Sequence, residues 1–325
     1  MSSVTIGEKI CFLAPGMASQ TCQREPNRAR MSTAHFVIIA AIVALLLPFV
    51  ASDATAAEVL APFKDELFSS QTVIESHDNG AFETIDYQEM RDINGRDLIP
   101  ERRVKPAYLS LGVRDKQVDE TLVLGDRKLD VTRVGPDAGQ AFTVIFIHGR
   151  DGDRRLGAND YMFGGNFNRL KNLALNGSGT YYAPTVKTFD SDGVAIVASL
   201  IRYAYEKSGG KPVILSCASM GSQICWGMTR DAETVKRLKG MVILSGVTDP
   251  AFLKSPFHKA KLPIWFTHGS NDPVYAATDQ EQLFEKLYNA KYPTRFTLFA
   301  TGSHGTPVRM TDWRKVLNWL LIAKS

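Results

Sequence analysis

Two kinds of apolar pattern alternate along most of this chain. Short, nearly all-apolar runs occupy residues 142–147, 213–215, 240–245 and 262–267. A run with no polar alternate face suits a strand buried on both sides. Between them lie segments whose apolar positions recur every three to four residues. Residues 192–206 place Val194, Val197, Ile201 and Ala204 on one stripe, and residues 313–322 do the same with Val316, Leu317, Leu320 and Leu321. That is the period of a helix packed along one face. Residues 166–175 predict a further helix, residues 180–184 a strand ending at Pro184, and residues 121–131 a hairpin turning at Gly125-Asp126. Gly209-Gly210 stops one helix just ahead of a strand. Strands alternating with helices predict an α/β protein with a mostly parallel sheet covered on both faces.

The amino-terminal part follows different rules. Residues 36–50 are almost wholly apolar, yet shorter than the roughly 20 residues of a membrane span. Arg24, Arg28 and Arg30 precede the run, and Ala54-Thr55-Ala56 follows it. Basic flank, apolar stretch and small-residue cleavage pattern predict a secretory signal peptide over residues 1–56, with Met17 as a start that keeps the flank. The expected destination is the periplasm or the exterior, and an uncleaved membrane anchor is the alternative. Residues 57–118 form a separate extension: residues 59–68 suggest a short helix, and Asn94-Gly95 suggests a hairpin turn. The pattern leaves open whether this extension packs beside the sheet or reaches over it. The body of the fold is expected over residues 119–325.

Charge adds little. The 325-residue chain carries a net +4, and removing residues 1–56 takes four bases and three acids, leaving +3. With no basic stripe and no interleaved aromatics, nucleic acid is not an expected partner. Cys217 and Cys225 survive processing. They flank a predicted turn, the second about two helical turns beyond it, so they read as small packed residues and not as a bridge.

Candidate chemistry gathers at predicted strand ends. Cys217-Ala218-Ser219-Met220-Gly221 lies between an apolar strand and a helix. Small residues around a serine at a strand-to-helix turn make a nucleophile elbow, here with Cys217 where the pattern G-x-S-x-G has its first glycine. Asp272 follows the run ending in Thr267-His268-Gly269, and His304 lies in Gly302-Ser303-His304-Gly305. Another strand, residues 144–147, leads into His148-Gly149-Arg150. A parallel sheet delivers such loops to one edge, so residues distant in sequence can converge there.

These four motifs, in this order, resemble those of the α/β-hydrolase family, and its compact single-domain esterases (carboxylesterase- or phospholipase-like) in particular. The resemblance covers residues 119–321. It implies the α/β-hydrolase fold and a triad of Ser219 as nucleophile, His304 as general base and acid, and Asp272 as the orienting carboxylate. His148-Gly149 then form the oxyanion loop, with the backbone N–H groups of Met220 and Arg150 as donors. Asp190 and Asp249 are rival acids. Many members carry a cap domain where this chain has about sixteen residues, 246–261, so an open site is expected. Arg154 and Arg155 are candidates to meet a substrate carboxylate, against the alternative of a loop neutralised by Asp151 and Asp153. No histidine or cysteine stands at ligand spacing from those acids, and neither metal nor cofactor is expected. The expected activity is a serine hydrolase that cleaves small carboxylic esters through an acyl-enzyme. A serine peptidase and a non-catalytic binding protein on the same fold are the alternatives.

Overall fold

The computed structural model describes residues 59–323; the leader predicted over residues 1–56 lies outside the described residues. Ten strands form one sheet: β1 (Val73–His77), β2 (Phe82–Ile85), β3 (Gln117–Leu124), β4 (Arg127–Val134), β5 (Thr143–Ile147), β6 (Thr180–Pro184), β7 (Val213–Ala218), β8 (Leu238–Leu244), β9 (Ile264–Gly269) and β10 (Thr294–Phe299). Their spatial order is β1-β2-β10-β9-β8-β7-β5-β6-β4-β3. Every pairing from β2 through β10 to β6 is parallel; β1, β3 and β4 pair antiparallel.

The longer helices are α1 (Glu89–Arg96), α2 (Asn166–Asn176), α3 (Ser191–Lys207), α4 (Ser222–Met228), α5 (Ala277–Asn289), α6 (Thr306–Met310) and α7 (Trp313–Ile322). Alternation within the central strands feeds two core layers. Val213, Leu215 and Cys217 of β7 face one, whereas Ile214 and Ala218 face the other. Burial on both faces explains why these strands read as continuous apolar runs. The chain leaves β5 toward β6 on one side and reaches β7 on the other, and this reversal opens a crevice at the carboxyl ends of β5 and β7. Between β8 and β9 lie only a 3-10 turn, Phe252–Lys254, and a single-turn helix, Pro256–Lys259. No helix among the described residues is long and apolar enough to cross a membrane.

Three local expectations need correction. The extension, over its described residues from 59, joins the edge of the sheet: β1 and β2 form a hairpin, and β2 runs parallel to β10 with Phe82 stacked on Phe296, ring centres 5.1 Å apart. Asn94-Gly95 is not its turn but lies in the last turn of α1, where the surrounding residues have no strand-like alternation. The expected helix at residues 59–68 covers only Asp65–Phe68: Pro62 disfavours helical backbone at Ala61, and Lys64 ahead of the helix has a φ of +52°.

The third correction concerns Cys217 and Cys225, which form a disulfide with Cα atoms 6.2 Å apart. Counting helical turns away from Ser219 misleads here. The elbow reverses the chain, so α4 runs back across β7 and returns Cys225 over Cys217. Both side chains then point into the same core layer, at a separation a disulfide spans without backbone movement.

Candidate active site

At the end of β7 the backbone turns at Ser219, whose φ of +53° lies in the left-handed region. A non-glycine residue is held there at a cost, and such strain concentrates at sites of chemistry. The turn is fixed from both sides. Ser222 Oγ donates to the Ser219 carbonyl at 2.7 Å and accepts from the Val247 N–H at 3.0 Å.

The loop after β5 lies directly against this elbow. A Cβ on Gly149 would stand 2.9 Å from the Ser219 Cβ, so only glycine permits the approach. His148 braces the same loop. Its Nε2 accepts the Val186 N–H at 3.0 Å, which leaves Nδ1 protonated to donate to the Gly149 carbonyl at 2.7 Å. Burial lowers the pKa of this imidazole, in keeping with a neutral ring.

The loops after β9 and β10 meet the elbow from the other side. Gly269 lies so near Gly302 that a Cβ would fall 2.3 Å from its carbonyl oxygen, and the Asn271 N–H donates to that carbonyl at 2.9 Å. This contact joins the Asp272 loop to the His304 loop. His304 Nε2 lies 2.8 Å from Ser219 Oγ, and His304 Nδ1 lies 2.8 Å from Asp272 Oδ2. The carboxylate can only accept, so Nδ1 carries the proton and Nε2 is free to accept from the serine. Asp272 Oδ1 accepts the N–H groups of Val274 and Tyr275 at 2.8 and 3.1 Å. Burial pushes the Asp272 carboxyl up, but the His304 N–H and these two backbone donors outweigh it and hold the group below its ordinary value. The Asp272 side chain is wholly buried, whereas the His304 side chain keeps 25% of its exposure.

Ser219 and His304 open onto a cavity of about 380 Å³, walled by Leu156, Phe163, Leu244, Val274 and Val308, with Arg150 and Met220 at its lining. A larger hollow of about 660 Å³ lies between α3 and α4 and contains none of these residues. Arg154 and Arg155 do not line the Ser219 cavity. Arg155 is paired with Asp153 at 2.6 Å, and Arg154 donates to the Val131 carbonyl at 3.2 Å. The rival acids are engaged elsewhere: Asp190 caps α3, and Asp249 pairs with Arg230. Among the described residues no group of three or more histidines, cysteines and acids could hold a metal ion. Spacing gave no sign of the apolar wall, because Leu156, Phe163 and Val308 come from three separate short helical segments that converge only in the fold.

Neither a family model nor a curated protein matches this sequence. Among solved structures the chain is similar to a thermostable esterase, with a TM-score of 0.52 at 16% identity, over 64% of this chain and 63% of that one. The match therefore spans less than two thirds of that esterase's length. Dienelactone hydrolase from Anabaena variabilis is also similar, with a TM-score of 0.48 at 17% identity, over 63% of this chain and 96% of that one. With its mostly parallel sheet covered by helices, the chain has the α/β-hydrolase fold.

Proposed function

We propose that this protein is an exported serine hydrolase that cleaves small carboxylic esters through an acyl-enzyme. One observation carries the reading: Ser219, His304 and Asp272 stand in a chain of two 2.8 Å contacts beside an apolar cavity. Each residue then has a role set by its protonation. Ser219 Oγ attacks the ester carbonyl while its proton passes to His304 Nε2. Asp272 fixes the tautomer of His304 and balances the imidazolium. The Met220 N–H, in the first turn beyond the elbow, has no intrahelical acceptor. Together with the Arg150 N–H it is the donor pair for the oxyanion, each worth about 3 kcal/mol in the transition state. His304 returns its proton to the departing alcohol, and water repeats the sequence to release the acid.

The wall of Leu156, Phe163 and Val308 favours a short apolar acyl or alcohol group. Export is supported by the leader-like pattern of residues 1–56 together with the Cys217–Cys225 bridge, since disulfides persist in oxidising compartments. A fluorophosphonate probe should label the wild-type protein and leave Ser219→Ala unlabelled. The same variant should lose on the order of 10⁶ in kcat on short p-nitrophenyl esters. A wild-type protein that takes no label would point to a fold without the chemistry, and faster turnover of peptide anilides than of esters would point to a peptidase.

A further inference from the structure

We propose that His268 is held as an imidazolium inside the fold and acts as a positioning residue, sharing the Asp272 carboxylate with His304. His268, on β9, has no solvent exposure. Its Nδ1 lies 2.8 Å from Gln280 Oε1, and its Nε2 lies 3.0 Å from both the Tyr275 carbonyl and Asp272 Oδ2. The Gln280 amide cannot be turned around. Its Nε2 donates to the Gly246 carbonyl at 2.8 Å, and a carbonyl only accepts, so Oε1 must face the histidine. Both ring nitrogens of His268 therefore meet nothing but acceptors. A neutral ring would set a lone pair against an oxygen lone pair at one of them, in a place water does not reach. Two protons satisfy Gln280 and Tyr275, and the resulting charge faces Asp272 Oδ2 at 3.0 Å.

The balancing charge is at hand. Asp272 Oδ2 receives the His304 N–H and stands 3.0 Å from His268 Nε2, while Oδ1 receives the N–H groups of Val274 and Tyr275. Three N–H donors and the neighbouring imidazolium thus surround one carboxylate. The other acid that feels His268 is Glu281 of α5. Burial raises its pKa, His268 and His77 oppose that rise, and Glu285 and Glu75 add to it.

The consequence for His304 has a definite sign. A fixed positive charge on the far side of the shared carboxylate disfavours a second positive charge at His304. This consequence rests on the triad reading above, whereas the protonation of His268 itself does not.

Nitrogen-15 NMR of the histidine-labelled wild-type protein tests the protonation directly. Both ring nitrogens of His268 should have shifts of the protonated kind at neutral pH. A ring nitrogen with the shift of a bare lone pair at neutral pH overturns the proposal. The signals are assigned by their loss in His268→Gln or, if that variant does not fold, by elimination with variants at the other histidines. His268→Gln keeps an N–H for Asp272 but no charge. Its acid limb of kcat/KM should move up by about one pH unit. A uniform drop in rate with the limb unmoved would mean that His268 only packs, and would refute the positioning role. If the esterase reading fails, turnover is absent while the two NMR signals persist, so the two failures are told apart.

Discussion

At Gly149 the loop after β5 comes within van der Waals contact of the nucleophile, and this contact aligns the candidate oxyanion donors with Ser219. Gly149→Ala puts a methyl carbon 2.9 Å from the Ser219 Cβ, closer than two carbons tolerate. Either the serine or the Arg150 N–H must move. Loss of one oxyanion donor costs about 10²–10³ in kcat, and that loss is the expected outcome, with far-UV circular dichroism and fluorophosphonate labelling of Ser219 retained. Wild-type turnover in this variant would remove Arg150 from the oxyanion site. The residues of this constellation are those that sequence reveals best. Ser219, Asp272, His304 and Gly149 each sit just past an apolar run, where a parallel sheet must expose its loops. Residues that act only by shape or by satisfying a neighbour leave no such mark. Phe163 and Val308 are apolar residues among many, and His268 shows its role only when Gln280 and Tyr275 close around it.

Among the secondary-structure elements, the strand-turn-helix unit of β7 and α4 shows how one omitted direction of travel changes a conclusion. The period of apolar positions identifies both elements, yet it does not say that the helix doubles back over the strand. Once it does, Cys217 and Cys225 meet in the buried layer beneath the elbow. The bridge closes a short loop, with a sequence separation of 8 residues, around Ser219. A cross-link of that length restricts the unfolded chain by about 2–3 kcal/mol. The Cys217→Ala/Cys225→Ala double variant should therefore unfold at lower denaturant concentration. Reductant should bring the wild-type protein toward that midpoint and leave the variant where it is. A wild-type midpoint indifferent to reductant, at a concentration that reaches unfolded thiols, would show that the bridge does not form in solution.

For the whole molecule, the part that resembles known hydrolases is not the part that closes the structure. Central strands and packed helices were legible because burial forces a periodic pattern on them. The β1–β2 hairpin was not: every residue of β1 is exposed, so no buried face imposes alternation. Besides the β2–β10 pairing, long-range charge pairing ties this region to the rest, and it has no period at all. Arg169 of α2, with no exposed side-chain surface, donates to Asp65 and Asp312 at 2.8 and 2.9 Å, and Asp65 also holds Arg314 at 2.8 Å. Arg309 of α6, beside the histidine loop, pairs with the buried Asp97 at 2.9 Å. A chain beginning at residue 117 would keep every motif of the candidate site and lose Asp65, Asp97 and the strand that covers β10. Breaking one buried pair by removing a partner costs about 3–5 kcal/mol, a large share of the roughly 5–15 kcal/mol that holds a domain together. The uncovered edge of β10, with Phe296 stripped of Phe82, invites pairing with other chains. The chain from residue 57 should be soluble and melt cooperatively, whereas the chain from residue 117 should aggregate or bind a hydrophobic dye strongly. If the shorter chain instead stays soluble and melts within a few degrees of the longer one, the charged clamps and the edge hairpin are dispensable, and the fold is complete in its hydrolase-like part alone.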